Sequence, residues 1–357
     1  MNYFKKLKYY SPYFLRKRFR EKYIIIESDD WGLERALTFD TIQWMKKKYG
    51  EENFSRWTLD SLETSEDLNL LFDLLEKYKN NFENPPVITA NFITHNIDYS
   101  SPDRLKFIPL SKGFNPETED VRNLYMDGIK KGYIFPQLHG YSHYNNSYLA
   151  EYFNSPEGRE AFNEKFFVAK STIKSKIKTY IIEPHGEMSN KNLNMGLIGD
   201  ANNEFKNFFG FKSKTFIPAT FIFDLEYLKV VTEAGIRLLQ GTNRFITSEC
   251  IKYDFPYFRK RHGLFMSVRN SRLDPHKDYN LNHEQCLDSI GKAMDNKIPA
   301  VIDFHRVNFA GKFDKKSRDT TLKELKLLFD KIFIKWPGVK FIHAQMLYEI
   351  LNQAGVL

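Results

Sequence analysis

Short runs of apolar and β-branched residues recur along this chain, separated by stretches with helical periodicity, and the alternation constrains the fold more than any other feature. The runs are Tyr23 to Glu27, Val87 to Phe92, Phe135 to Leu138, Thr215 to Ile217, Ile236 to Leu239, Leu264 to Val268, Pro299 to Phe304 and Val339 to Ile342. Strands that alternate with helices pair in parallel, because a parallel connection needs a crossover long enough to hold a helix. Amphipathic spacing at Leu68, Leu71, Leu74 and Leu75 predicts one helix. Leu322, Leu325, Leu328, Phe329 and Ile332 predict another, closed by Trp336-Pro337-Gly338. No repeat, low-complexity tract or Gly/Ser/Pro-rich linker divides the chain. The expectation is an α/β fold, a distorted (β/α) barrel of parallel strands forming one domain over residues 23–357. Residues 1–22 stand outside it, and Ile182 to Gly199 reads as an inserted loop.

The net charge is +8, but residues 1–22 hold eight Lys/Arg against the single acid Glu21, which leaves the remainder near neutrality. A nucleic-acid-binding surface spread over the fold is therefore not expected. The segment interleaves its cations with aromatics such as Tyr9, Tyr10, Tyr13 and Phe14. That composition suits an anionic membrane surface as well as a plain solvated extension. No apolar run reaches the roughly 18 residues of a membrane span, and the start lacks the apolar core of a secretory signal. The expectation is a cytoplasmic protein whose residues 1–22 form a solvated or edge-packed extension, with peripheral membrane contact through them as the alternative. Cys250 and Cys286 are the two cysteines, without CxxC spacing, so a metal would be held by His and carboxylate.

Polar residues cluster at one end of the apolar runs. Asp29-Asp30 follow the first, His95, Asn96 and Asp98 the second, and His139 the third; Asn243-Arg244, Arg269-Asn270 and His305-Arg306 follow later ones. In a parallel α/β barrel the carboxyl ends of strands share one rim, where residues distant in sequence converge. Two local patterns there carry chemistry. Ser28-Asp29-Asp30-Trp31-Gly32 delivers two adjacent carboxylates, one able to hold a metal and the other a water, although Ser-Asp-Asp is equally a turn or helix cap. His139-Gly140-Tyr141-Ser142-His143 offers two imidazoles four residues apart, a spacing that surface helices also produce. Taken together, Asp30, His139 and His143 form a two-His, one-carboxylate set that leaves a coordination position open. Imidazole donors favour a borderline divalent cation such as zinc.

In this order the motifs resemble the polysaccharide deacetylase superfamily, the NodB homology group of carbohydrate esterase family 4. Asp29-Asp30 matches its first motif, and His139 to His143 its second, with Gly140 at a Ser/Thr position. Thr89-Ala-Asn-Phe-Ile93 is similar to its second strand, and Thr215-Phe-Ile-Pro-Ala-Thr220 with Ala234 to Gly241 to the surroundings of its third motif. Pro299 to Phe309 is similar to the late strand that carries its catalytic histidine. The likeness covers most of residues 23–350. It departs at Phe216-Ile217-Pro218, where the family's base-supporting Arg is absent, leaving Arg244, Arg269 or Arg306 to substitute; the Asp/Trp-containing fourth motif is not identifiable.

The resemblance implies a hydrolase that removes an N-acetyl or O-acetyl group from an amino sugar of a polysaccharide or its precursor. Asp30, His139 and His143 would hold the cation, Asp29 would act as base, and His305 as acid. The backbone N–H near Tyr144 would face the oxyanion. Trp31 and Tyr141 would stack on sugar, while Arg244, Asn270, Arg306 and Asn308 would orient the base or the substrate. Glu183 to Glu187 would line the groove or simply form polar loop. His262, His276, His283 and His343 show no ligand pattern and read as surface or structural residues. A second reading, favoured by the missing Arg, is a catalytically inactive member that binds carbohydrate within a biosynthetic complex.

Overall fold

A computed structural model describes residues 18–100, 105–166, 197–224, 227–242, 244–246, 251–253, 258, 260–261 and 263–353. Its strands are β1 (Tyr23–Trp31), β2 (Ile88–Ile93), β3 (His95–Ile97), β4 (Phe107–Pro109), β5 (Ile134–Gly140), β6 (Thr215–Phe216) and β7 (Leu238–Gly241). They continue with β8 (Arg244–Ile246), β9 (Ile251–Tyr253), β10 (Lys260–Arg261), β11 (Leu264–Val268), β12 (Ser271–Arg272), β13 (Ala300–His305) and β14 (Lys340–Phe341). One sheet runs β10-β11-β7-β6-β5-β2-β1-β13-β12, with β14 paired to the start of β1. All its pairings are parallel except that of β10 with β11.

The sheet curls on itself until its edges nearly meet. Strands β11 and β12 lie at opposite ends of the parallel path, yet two residues join them, a span of at most about 11 Å. Those two residues close the gap through their backbones: Arg269 N–H donates to Gly241 O beside β11 (2.9 Å), and Asn270 N–H to Val301 O of β13 (3.1 Å). Side chains cross the interior as well. Asn91 of β2 and Gln240 of β7, three strands apart in order, exchange hydrogen bonds of 2.9 and 3.0 Å, which a flat sheet with a strand spacing of about 4.8 Å forbids. The outcome is the distorted parallel (β/α) barrel expected from the sequence.

β1 is buried on both faces; its apolar first half supplies Ile24, Ile25 and Ile26 to a core shared with Leu325, Leu328, Phe329 and Ile332, and its polar second half enters the barrel. The helices begin where side chains cap them. Thr64 and Asp67 form a capping box for Ser65–Glu76, and Asn282 with Gln285 does the same for His283–Asp295. Asp314 caps Lys315–Lys335, which ends at Trp336 before the helix-breaking Pro337.

Several boundaries differ from the sequence reading. Asp29, Asp30 and His139 lie within the last residues of their strands rather than after them. The hairpin β3–β4, the β8–β9 pair and two-residue β12 were not anticipated, being too short to carry a periodic signal. The expected loop to Gly199 ends earlier, because Leu197 and Ile198 are buried at the start of the amphipathic helix Leu197–Phe209. Residues 1–17 of the basic segment, residues 182–196 of the loop, Asn243 and His262 lie outside the described residues. No described helix is long and apolar enough to cross a membrane.

Candidate active site

Adjacent residues of a regular strand point to opposite faces, so two neighbouring aspartates should not share a site. β1 avoids this with a bulge: between Ser28 and Trp31 its register against β2 slips, and Asp30 takes a left-handed φ of 70°. A second bulge lies on β5, where Leu138 pairs with Phe92 and Gly140 with Ile93, leaving His139 between them as the extra residue. The turn after β5 brings in His143, also left-handed at φ 74°. Two residues of this trio thus hold conformations uncommon outside glycine, of the kind that persist where surrounding structure imposes them.

The three side chains converge. Asp30 Oδ1 lies 3.3 Å from His139 Nε2 and 3.2 Å from His143 Nε2, all three side chains being buried. His139 Nδ1 sits 2.9 Å from Ile217 O, which fixes the proton on Nδ1 and leaves the Nε2 lone pair facing Asp30. Asp30 Oδ1 makes no hydrogen bond of good geometry despite its burial, and neither does His143 Nδ1. Burial pushes the Asp30 carboxyl up, yet the two imidazoles outweigh it and hold the group well below the usual carboxylate range. His139 is lifted, since Asp30 overcomes the opposing effect of burial, whereas burial prevails at His143 and lowers it. Two imidazole lone pairs and an unsatisfied carboxylate oxygen at one point fit a divalent cation.

Asp29 occupies a different environment. Arg269 grips it with both terminal nitrogens, Nη2 to Oδ1 at 2.6 Å and Nη1 to Oδ2 at 2.8 Å, and Asn91 Nδ2 donates to Oδ1 at 2.8 Å. The same guanidinium bonds Glu27 through Nε (2.8 Å) and Asp303 through Nη1 (2.6 Å). Burial pushes Asp29 up, but Arg269 and then His139 bring it down to about 2. Glu27, deeper in the barrel, responds the other way: burial outweighs Arg269 and pushes it up to about 7. His305 Nε2 lies 3.7 Å from Asp29 Oδ2, and its Nδ1 3.6 Å from Asp303 Oδ1. Asp29, Asp303 and His305 also bring ligand-type atoms together, but Arg269 already occupies an oxygen of each carboxylate and places a positive charge between them, which disfavours a second cation there.

Of the arginines that the sequence left open, Arg269 holds Asp29. Arg306 is wholly buried, bonded to Asp60 (2.8 Å), Leu33 O and Glu63, and makes no hydrogen bond to Asp29, Asp30, His139 or His143. Asn308 accepts from Arg56 Nη1 at 3.1 Å and is buried. The amide of Asn270 is taken by Pro299 O (2.8 Å) and Val301 N–H (3.0 Å), beside the start of β13 rather than at the rim. Trp31 cannot stack on a sugar. Its indole is fully buried among Phe92, Tyr125 and Phe309, with Nε1 donating to Ser28 Oγ at 2.8 Å. Tyr141 is half-buried, with one ring face stacked on His95 at 3.7 Å. Arg244 is placed in β8, and its side chain lies outside what is described.

Besides Asn91 and Glu27, two further residues near the site escaped the sequence reading. Half-buried Trp57 meets the His305 ring edge-on at 5.2 Å. Buried Arg35 stands 5.7 Å from the rings of both Trp57 and Tyr144, close enough to bias Asp30 and His143. Neither has a local pattern that would single it out.

No family model matches the sequence, and no curated protein matches it. Solved structures similar to it include a 4-alpha-glucanotransferase from Thermococcus litoralis (10% identity, TM-score 0.47), with 92% of this chain and 38% of that chain covered. They also include the carbohydrate esterase family 4 domain of a multidomain xylanase from the hindgut metagenome of Trinervitermes trinervoides (12%, TM-score 0.41, 93% and 92% covered). A third is a carbohydrate esterase family 4 pseudoenzyme from Bacillus anthracis (10%, TM-score 0.41, 93% and 67% covered). This chain spans well under half the length of the glucanotransferase. Likenesses this distant carry no functional argument, so function is argued from the side chains of the site.

Proposed function

We propose that this protein is a metal-dependent hydrolase that removes an acetyl group from an amino sugar of a polysaccharide or its precursor. The observation that carries the reading is the convergence of Asp30, His139 and His143 on one point, next to a separately held Asp29–His305 pair. Asp30, His139 and His143 would hold a divalent cation, which would supply Lewis-acid chemistry toward an acyl carbonyl and a water. Asp29, kept ionised and oriented by Arg269, takes the proton of the attacking water. His305 passes a proton from Nε2 to the departing nitrogen or oxygen, with Asp303 beside Nδ1 steadying the imidazolium. The Tyr144 backbone N–H, directly after His143, is assigned to the developing oxyanion. The choice of an acetylated sugar draws on the motif resemblance rather than on a contact.

Acetate release from a panel of N- and O-acetylated oligosaccharides tests the proposal. Release that stops on chelation and returns with added zinc supports it. A metal-replete protein that liberates no acetate from any of them contradicts it.

A further inference from the structure

The amino ends of the parallel strands form a face opposite the candidate site, and cations gather there. Lys22, Lys214 and Arg237 directly precede β1, β6 and β7, Lys297 leads into β13, and β14 begins at Lys340. Lys340 is shared between Glu21 (3.7 Å) and Glu83 (3.5 Å), whereas the other four have no acidic partner among the described residues. Asp295, at the end of the helix before Lys297, offsets one of them. Lys22, Lys214 and Lys340 stand at strand starts rather than in the last turn of a helix, so a helix dipole does not account for them. Since residues 23–357 are nearly neutral as a whole, the excess at this end is a segregation of charge.

The same end carries an apolar tip. Helix Lys315–Lys335 finishes on Phe333 and Ile334, 39% and 78% exposed, between exposed Lys331 and Lys335. Phe333 packs edge-on against Phe82 (5.5 Å), which meets Phe341 of β14 (5.1 Å), so the tip is fixed to the sheet beside Lys340. Residues 18–22 arrive at this place: Phe19 N–H donates to Lys297 O (2.8 Å), and Lys340 N–H to Lys22 O (3.0 Å). Arg18 and Arg20 are exposed there, and residues 1–17 of the sequence add five Lys/Arg and six Phe/Tyr without a single acid. An isolated exposed isoleucine needs no explanation, but an apolar tip among unmatched cations, continuous with a basic aromatic segment, has the composition of a surface that meets anionic lipid.

We propose that the amino-end face of the barrel docks on an anionic lipid bilayer, with Phe333 and Ile334 entering the headgroup layer and Lys22, Lys297 and Lys335 lying over it, together with residues 1–17. A second copy of the chain is disfavoured, because it would set like charges face to face. A polyphosphate chain would use the cations but has no use for an aliphatic tip. β1 runs from this face to the site, so Asp30 stands roughly 25 Å from the bilayer side and the site opens away from it. The docking does not rest on the hydrolase reading.

The test is co-sedimentation of the full-length protein with vesicles of phosphatidylcholine, with and without phosphatidylserine, at low and high salt. Wild type is compared with Lys22→Glu/Lys335→Glu, with Ile334→Ser, and with Lys277→Glu/Lys316→Glu, an equal charge change on exposed residues at the opposite end of the barrel. The proposal predicts salt-sensitive binding that needs phosphatidylserine, weakened at least about tenfold in Lys22→Glu/Lys335→Glu and severalfold in Ile334→Ser, and near wild type in the opposite-end pair. No binding by wild type to the phosphatidylserine vesicles overturns it. So does equal weakening in the two charge pairs, which would mean net charge alone, or unchanged binding in Lys22→Glu/Lys335→Glu, which would leave residues 1–17 acting without the face. Binding to duplex DNA but not to vesicles also overturns it. If the charge pair lowers the thermal midpoint, the single exposed change Ile334→Ser decides.

Discussion

Replacing Arg269 by lysine separates two things the guanidinium does for Asp29, neutralising it and orienting it. Arg269 serves Glu27, Asp29 and Asp303 at once, over distances of 2.6 to 2.8 Å, and is buried. An ammonium keeps the charge but is a compact donor on a flexible stem, unable to meet three carboxylates in the plane of a fork. A buried charged acceptor left short of a partner costs ~1–3 kcal/mol, and breaking a buried pair outright ~3–5 kcal/mol. Against a total stability of ~5–15 kcal/mol, the lysine variant is expected to fold and to lose about 2 kcal/mol, measured by urea denaturation.

The kinetic consequence has a definite sign. With Arg269 in place Asp29 is held at about 2, below its ordinary 3.8, so it is ionised throughout a usual assay range. Weakening the clamp lets burial push the group upward, and the ionised fraction then falls as pH is lowered through the new value. The acid limb of kcat/KM is expected to move to higher pH, with activity at pH 5 down about 10- to 100-fold and part of the loss recovered by pH 8. Acetate-release profiles against pH read this directly. Stability within ~0.5 kcal/mol of wild type together with an unmoved acid limb would refute the role given to Arg269.

His305→Gln should lower kcat by about 10²- to 10⁴-fold while metal content and thermal midpoint stay put; loss of metal would place His305 among the ligands instead. Arg306→Met should cost ~1–3 kcal/mol in urea unfolding, because it leaves buried Asp60 with Arg35 alone and Glu63 with only Tyr125 OH and Gly32 N–H, with metal stoichiometry unchanged in the folded fraction. Glu27 is pushed up to about 7 in the fold from 4.5. Between these values the folded state keeps a proton that the unfolded chain has released, so the contribution of Glu27 to stability falls as pH rises through this window. Glu27→Gln should flatten that part of the denaturation midpoint against pH, and an unchanged slope would count against the burial of an ionisable Glu27.

The alternation of apolar runs and amphipathic helices made the parallel barrel legible, because buried parallel strands and core-facing helices leave strong local patterns. Asp30, His139 and His143 were legible as candidates for a related reason: adjacent carboxylates and paired imidazoles at strand ends break the apolar pattern where a rim can use them. Arg269 could be named only as one of three, since its grip on Asp29 spans 240 positions and depends on the barrel closing. Trp31 shows why adjacency misleads. The bulge that turns Asp30 into the site leaves the next side chain in the core, and no spacing rule announces a bulge. Arg306 and Asn308 failed likewise, because a polar residue after a strand can be satisfied by a buried partner from another loop, here Asp60 and Arg56.

The central claim is that Asp30, His139 and His143 hold a divalent cation, and metal stoichiometry tests it most directly. Elemental analysis after dialysis against trace zinc should give one equivalent for wild type and for Asp29→Asn, and a small fraction of that for Asp30→Ala and His139→Ala. Full occupancy in Asp30→Ala, or no metal in wild type, would contradict the account.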